Sequence, residues 1–485
     1  MRSTAIGHAI LMFGALAATH PSALNAQPSA PASQAQPDSP AARAGMTWLS
    51  ANKMTDDAAF IATMRDLWPT APGTPDQWIA ARDRFRYLSF DRLGAVSADK
   101  TELWLFDPDV DGYVIATVTM RADDPGKVDG IGLRPTPDLP PGMVAPARLA
   151  EPALIAAVRE KAAHDAAEDR FSGAVLIARR GKTLLAQAYG MADREAGKPN
   201  TVDTQFRFGS MGKMFTAVAI MQLIESGKVD ANAPIGRYLP GYANQEIAKG
   251  VTVANLLTHT GGTGDIFGPE FDHNKSSLAD PKDYVAFYEK RAPLFPPGSR
   301  AAYSNFGFML LGRIVETVSG QRYDDYIARH IFAPAGMRST GNLPETTMLP
   351  QRAQPYMMVS AKLKRANGTL PVRGTPAGGG YSTVGDFERF AKALTTGRLM
   401  KPATLQALLQ GGVKLPDGTF MPYDFGGTAP ELGRFIGHGG GAPGMNGELM
   451  HFIDSGYTIV ALANISPPAS ADGLATFVMH RLPAK

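Results

Sequence analysis

A serine and a lysine three residues apart are the first candidates for chemistry in this sequence. Ser210 and Lys213 open a segment, 211–224, in which nearly every residue is apolar. Residues three apart share one face of a helical turn, so the two side chains can meet. A helix that is apolar on all sides is buried, and its N-terminal dipole favours an alkoxide and disfavours an ammonium. The pattern therefore predicts a serine nucleophile with a lysine base beside it.

The spacing is not diagnostic by itself. Ser-x-x-Lys also occurs at 50–53 and 97–100. Neither segment opens an apolar helix, so both are predicted to be solvated surface. Ser210 taken alone is also a suitable helix N-cap. The chemical interpretation therefore needs partners elsewhere in the chain.

A tyrosine and an asparagine supply the second group of polar side chains. Tyr303 and Asn305 precede a helical run at 306–318. A phenol beside a serine–lysine pair can relay protons, and a side-chain amide can hold a substrate amide. The alternative is a tyrosine that packs in the core where a helix begins. Tyr242 and Asn244 repeat the spacing in a turn with nothing apolar after it, and they are predicted to be loop residues.

A glycine-rich stretch at 437–441 is the third candidate segment. The glycines around His438, including Gly439 and Gly440, leave room for a substrate to lie along a strand edge. His259 offers a competing His-x-Gly pattern, but it lies in a helical section and is not followed by strands. We therefore favour His438 for the site and predict that His259 packs within a loop.

Length and composition limit the number of domains, the classes of partner and the chemistry that this chain can have. The chain has 485 residues, a formal net charge of +3 and no cysteine. Its length allows two or three domains. The charge, without Lys/Arg runs, gives no reason to expect a nucleic acid partner. The lack of cysteine excludes disulfides and thiolate nucleophiles. No metal-binding histidine motif is present in the sequence, and neither a metal nor a cofactor is expected.

The first 26 residues are typical of a secretory signal peptide. Arg2 precedes an apolar run at 9–18 that is too short to span a bilayer, and small residues at 24–26 permit cleavage before Gln27. A retained anchor is the alternative. We expect a periplasmic or secreted protein without a membrane span after cleavage.

The remaining chain divides by composition into four parts. Residues 27–45, rich in Pro, Ala, Ser and Gln, are predicted to be a disordered tether. Residues 46–134 are predicted to form a small α+β domain, followed by a proline-rich linker at 135–150. Residues 151–485 carry all the candidate motifs.

The predicted N-terminal domain loosely resembles cystatin-like or ketosteroid-isomerase-like modules. Its patterns are two helices between Trp48 and Leu88, followed by strands at 102–106, 113–120 and 127–133. The aspartates between the first two strands are similar to the start of a calcium loop. The closing glutamate of such a loop is missing, so a hairpin turn is favoured.

The second domain has strand patterns at both ends and helices between them. Strands near its start and its end, with a mostly helical middle section to about Leu408, predict an α+β domain with one antiparallel sheet built from the two chain ends. The predicted elements are a helix at 151–170, a hairpin at 173–178 and 183–189, the Ser210 helix, the His438 strand, strands at 448–453 and 457–464, and a final helix.

The three motifs together resemble a known superfamily. Ser210-x-x-Lys213, Tyr303-x-Asn305 and His438-x-Gly440, in this order, are similar to the motifs of serine β-lactamases and penicillin-binding proteins, in the class C-like branch. The likeness continues in the stretches 255–262, 297–312 and 378–386, and it covers the chain from about 151 to its C-terminus.

The resemblance implies the β-lactamase/transpeptidase-like fold and an acyl-enzyme mechanism. Ser210 would attack a carbonyl while Lys213 and Tyr303 share the proton transfers. The oxyanion would be held by the backbone N–H groups of Ser210 and Gly441. The remaining substrate-binding residues implied by the resemblance are Asn305, His438, Gly439 and Gly440.

The third motif narrows the implied activity. In class C β-lactamases it begins with lysine, whereas His438 stands here, as in peptidase and D-aminopeptidase members. A histidine is not permanently cationic, so substrates without a carboxylate are expected to be the better ones. The resemblance implies a peptidase, amidase or esterase acting on a small molecule or short peptide. A β-lactamase and a non-catalytic penicillin- or peptide-binding sensor are the alternatives, and the intact motifs argue against the sensor.

Overall fold

The computed structural model describes residues 39–483, except 109, 137, 369–370, 430 and 467–470. The predicted signal peptide and most of the predicted tether lie outside the described residues. Among the residues described, no helix is both long and apolar enough to cross a bilayer.

The N-terminal region is an antiparallel four-stranded meander covered by helices. The strands pair in the order β1-β2-β3-β4, and a core of apolar side chains, including Trp48 and Leu103, lies between sheet and helices. Its elements are α1 (Pro40–Ala51), α2 (Asp57–Leu67), α3 (Pro75–Phe85), β1 (Ser89–Val96), β2 (Lys100–Asp107), β3 (Gly112–Met120) and β4 (Val128–Thr136).

Three sequence predictions for this region were wrong in detail. The region has three helices rather than two and four strands rather than three. The predicted tether ended at residue 45, but α1 begins at Pro40. The reason is local, because Ser39 caps the helix by accepting a hydrogen bond from the Ala42 N–H at 3.1 Å and Pro40 suits the first helical position. The segment between β2 and β3 is a hairpin connection, as favoured over a calcium loop.

The rest of the chain alternates short helices with strands that come mainly from its two ends. The helices are α4 (Glu151–Ala167), α5 (Lys213–Glu225), α6 (Gln245–Gly250), α7 (Val253–Leu257), α8 (Pro269–Asn274), α9 (Pro281–Tyr288), α10 (Asn305–Ser319), α11 (Tyr323–Ile327), α12 (Ala333–Ala335), α13 (Val384–Thr395), α14 (Pro402–Gln410) and α15 (Ala471–Arg481). The strands are β5 (Gly173–Arg179), β6 (Lys182–Tyr189), β7 (Met191–Asp193), β8 (Lys198–Pro199), β9 (Tyr356–Val359), β10 (Lys362–Arg365), β11 (Gly412–Lys414), β12 (Phe420–Pro422), β13 (Gly426–Ala429), β14 (Gly433–Ala442), β15 (Met445–Phe452) and β16 (Tyr457–Ala463).

One antiparallel sheet joins the two ends of this region, as the sequence predicted. Its six strands lie in the order β13-β14-β15-β16-β5-β6, and the ends meet where β16 pairs with β5. Successive residues of a strand point to opposite faces. Val460 therefore packs into the core on the side of α5, whereas Ile459 packs into the core beneath α4 and α15. The expected α+β architecture, with one antiparallel sheet built from the two ends of the region, is confirmed.

Helix α5 runs through the larger core. It is buried on all sides, as its apolar sequence predicts, and it ends at Glu225 with Gly227 at a φ of +70°. A left-handed residue just past a helix is the usual position for glycine. The middle section is mostly helical as predicted, but it also holds the β9–β10 hairpin, which the sequence analysis missed.

Candidate active site

The predicted nucleophile lies in a tight turn at the start of α5. Ser210 belongs to a 3₁₀ turn, Gly209–Gly212, and Lys213 is the first residue of the α-helix. Ser210 therefore precedes the α-helix rather than standing inside its first turn. The Lys213 Nζ lies 3.3 Å from the Ser210 Oγ.

Lys213 is fully buried, and each of its three N–H donors has an acceptor. Nζ donates to the Asn305 Oδ1 and to the Ala377 carbonyl oxygen, both at 2.7 Å, as well as to Ser210. Burial lowers the pKa of Lys213 to about 8, although the negative charges of Asp424 and Asp265 oppose this shift. Roughly one tenth of such an amine is neutral at pH 7. A basic amine is therefore present beside the hydroxyl at ordinary pH.

Tyr303 contacts the same hydroxyl from the other side. Its phenol donates to the Ser210 Oγ at 2.8 Å. Burial raises the pKa of Tyr303 well above its ordinary value, and the charge of Asp424 adds to this, so the side chain stays protonated. Its position is set by the next residue, because Ser304 caps α10 by accepting the Gly307 N–H at 2.9 Å.

Asn305 is engaged at both ends of its amide. Its Oδ1 accepts from Lys213, and its Nδ2 donates to the Asp265 Oδ2 at 3.2 Å. The sequence analysis expected this amide to bind substrate. In the structure the amide orients the lysine, and Asp265, which carries no signal in the sequence, orients the amide. Substrate binding by Asn305 stays a prediction.

The third motif passes directly against the nucleophile turn. A Cβ on Gly440 would lie 2.1 Å from the Phe208 carbonyl oxygen, and one on Gly209 would lie 3.1 Å from the Gly441 nitrogen. Only strands without side chains can approach so closely. The two predicted oxyanion donors, the N–H groups of Ser210 and Gly441, therefore belong to adjacent backbones.

A second glycine segment closes the other side of the turn. The Gly379 N–H donates to the Gly209 carbonyl oxygen at 3.0 Å. Gly378 has a φ of +136°, and a Cβ there would lie 2.3 Å from the same oxygen. The stretch 378–386 that resembles the family's downstream glycine segment is therefore packed against Ser210.

His438 lies beside the site with both ring nitrogens occupied. Its Nε2 donates to the Asp424 Oδ2 at 2.8 Å, and its Nδ1 lies against the Gly439 carbonyl oxygen. The side chain is only 7% exposed. Neither ring nitrogen therefore offers a free N–H to a substrate carboxylate in this structure, and substrate binding by His438 stays a prediction.

His259 belongs to the same cluster, which the sequence analysis did not predict. Its Nδ1 accepts the Ser304 backbone N–H at 3.0 Å, so its proton is on Nε2, which donates to the Asp424 Oδ2 at 3.0 Å. Its ring lies 4.5 Å from that of Tyr303. His259 lies in the loop after α7 and packs there, as predicted, but its hydrogen bonds to Asp424 and Ser304 were not predicted, because the His-x-Gly pattern was judged without its tertiary neighbours.

Asp424 holds the two histidines together and was missed entirely. Burial alone would raise the pKa of its carboxyl group, but His438 and His259 hold it well below the ordinary range. The residue lies in the short connection between β12 and β13. Nothing in its local sequence distinguishes it from a turn aspartate.

The hydroxyl of Ser210 contacts both a buried lysine and a tyrosine. In this fold, that arrangement is typical of serine hydrolases that work through an acyl-enzyme. The family model described as beta-lactamase matches residues 156–482, and the chain belongs to that family.

Three relatives illustrate its range. Penicillin-binding protein 4* of Bacillus subtilis is 30% identical over 314 residues, 61% of this chain and 68% of the relative. Esterase EstB of Burkholderia gladioli is 37% identical over 189 residues, 36% of this chain and 48% of the relative. The structure of a D-stereospecific amidohydrolase from Streptomyces sp. is 26% identical with a TM-score of 0.55, covering 66% of this chain and 96% of that chain.

Proposed function

We propose that this protein is an exported serine hydrolase that cleaves amide or ester bonds through an acyl-enzyme on Ser210. One observation carries the proposal: the Ser210 hydroxyl lies 2.8 Å from the Tyr303 phenol and 3.3 Å from the buried Lys213 amine. The names of the relatives, an esterase and an amidohydrolase among them, support both bond types. Export rests on the sequence of residues 1–26 alone.

Acylation begins with the neutral form of Lys213. The Ser210 oxygen attacks the substrate carbonyl carbon and passes its proton to the Lys213 Nζ. The carbonyl electron pair moves onto oxygen, where the N–H groups of Ser210 and Gly441 stabilise the negative charge. When the intermediate collapses, the C–N or C–O bond breaks. Tyr303, kept protonated by burial, is placed to give the leaving group its proton. The proton held by Lys213 then passes to the Tyr303 oxygen, so that the phenol and the neutral amine are both restored.

Deacylation uses the same groups in reverse. A water molecule attacks the acyl carbon and loses its proton to the neutral Lys213 amine. The ester bond to Ser210 breaks, and the serine oxygen takes that proton from Lys213. The supporting observation is that one hydroxyl has both an amine and a phenol within reach.

A panel of substrates tests the proposal. p-Nitrophenyl esters, D-amino-acid anilides, a D-Ala-D-Ala peptide and nitrocefin are run side by side with the wild type and Ser210→Ala. We expect turnover of esters or anilides that is lost in the variant, with Ser97→Ala as the matched control that retains it. Turnover that survives Ser210→Ala, or none on any substrate with folded wild-type protein, would overturn the proposal.

A further inference from the structure

Asp424 is held where it can act on two motifs at once. Its backbone N–H donates to the Leu257 carbonyl oxygen at 3.0 Å, and the next residue, Phe425, is buried in the larger core. The carboxylate is therefore fixed between the end of α7 and the edge strand β13. A single oxygen, Oδ2, accepts hydrogen bonds from His438 and His259.

This arrangement leaves no cationic side chain free at His438 to bind a substrate carboxylate. If His438 is protonated, the negative charge of Asp424 neutralises its positive charge. If His438 is neutral, the cluster of Asp424, His438 and His259 carries a net negative charge. In neither case does the cluster present an unshared positive charge. A second carboxylate brought to this position would meet a like charge at short range, which costs binding energy in a partly buried site.

We propose that Asp424 is a specificity-determining residue that holds His438 away from the substrate and so selects esters and amides that carry no free carboxylate in the acyl group. This inference rests on the proposed function, since it names the substrate class of the same site. It places the selectivity in Asp424 rather than in the identity of the histidine alone.

The same carboxylate also supports the second motif. His259, held by Asp424, accepts the Ser304 N–H and lies against the Tyr303 ring. Removing the carboxylate will therefore disturb Tyr303 and Lys213 and lower turnover of every substrate. The informative quantity is the ratio between two substrates, because losses at the shared groups cancel in it.

The test uses a matched pair of chromogenic esters, 4-nitrophenyl hydrogen adipate and 4-nitrophenyl methyl adipate, which differ only in the free carboxylate. Rates are corrected for uncatalysed hydrolysis. For the wild type we expect kcat/KM to be at least roughly tenfold higher for the methyl ester. In Asp424→Asn, which keeps the shape and an acceptor oxygen, the ratio should fall at least roughly threefold, mainly through a lower KM for the free acid.

Controls separate this inference from the proposed function. Asp417→Asn removes an exposed aspartate of the β11–β12 turn and should leave the ratio unchanged. If Asp424→Asn does not give a wild-type circular dichroism spectrum, Asp424→Ser replaces it. Turnover that depends on Ser210 while the ratio stays unchanged in a folded Asp424 variant overturns the role of Asp424 alone. Turnover that survives Ser210→Ala overturns the proposed function and this inference with it.

Discussion

At the scale of single residues, Lys213 governs how kcat/KM depends on pH. Burial lowers its pKa from an ordinary 10.5 to about 8, so the basic form grows as pH rises through about 8 and is lost below it. We expect kcat/KM for a neutral ester to rise with pH along a limb centred near that value. A profile that is flat between pH 6 and 9, after correction for alkaline hydrolysis, would contradict Lys213 as the base.

Tyr303 allows a second residue-scale test with a close control. Tyr303→Phe removes the phenol that contacts Ser210 and should reduce kcat at least about 10²-fold while the protein stays folded. Tyr242→Phe is the matched control, because Tyr242 has the same Tyr-x-Asn spacing and its buried hydroxyl lacks a hydrogen-bond partner among the described residues. Near-normal activity of Tyr303→Phe would remove the phenol from the mechanism.

Local patterns identified some of these residues and could not identify others. Ser210 and Lys213 were predictable because they stand at the start of an apolar run that marks a buried helix. Asp424 and His259 are 165 residues apart in the chain, so their meeting depends on tertiary packing that no local period encodes. Asp265 escaped notice for the same reason.

At the scale of elements, the approach of β14 to the nucleophile turn is the critical contact. A methyl group on Gly440 would lie 2.1 Å from the Phe208 carbonyl oxygen. That oxygen belongs to the backbone, which cannot move aside as the end of a flexible side chain can. Gly440→Ala should therefore lower the free energy of unfolding by about 1–3 kcal/mol and abolish most activity.

Gly441→Ala is the neighbouring control. It keeps the backbone N–H, and among the described residues its Cβ would meet only the Asn446 Nδ2, at 3.6 Å. We expect much smaller losses of stability and kcat, measured by thermal melting and ester hydrolysis. Equal losses in the two variants would show that strand packing, rather than the contact at Gly440, decides the outcome.

Most helices and strands were predictable from the sequence, because apolar patterns mark the elements and turn residues mark their ends. Two short runs rich in apolar residues, separated by a turn at Arg180-Gly181, predicted the hairpin of β5 and β6, and the all-apolar run predicted α5. The β9–β10 hairpin was missed because it is short and lies between helical patterns. The start of α1 was missed because an alanine- and proline-rich composition was taken for a tether.

At the scale of the whole molecule, the N-terminal region is tied to the hydrolase region by polar contacts. Asp83 accepts the Ala361 N–H at the tip of the β9–β10 hairpin at 3.1 Å. Asp111, nearly buried, accepts from Arg481 at 2.7 Å and from His480 at 3.0 Å. Neither contact involves a residue of the candidate active site, so the region's role is predicted to be structural.

A chain beginning at Glu151 tests that division of labour. We expect it to retain Ser210-dependent hydrolysis with a lower Tm, because Arg481 and the hairpin tip lose their partners. Asp111→Asn in the full chain should lower Tm in the same direction by a smaller amount. A folded shortened chain with no activity on any substrate of the panel would show that the N-terminal region shapes the active site.

The central claim is that Ser210 alone forms the acyl-enzyme, and covalent labelling tests it most directly. The wild-type protein is treated with a fluorophosphonate probe, and the adduct is located by intact mass and peptide mapping. The account predicts one adduct per chain, on Ser210, and none in Ser210→Ala. Labelling that persists in the variant, or an adduct on Ser50 or Ser97, would contradict it.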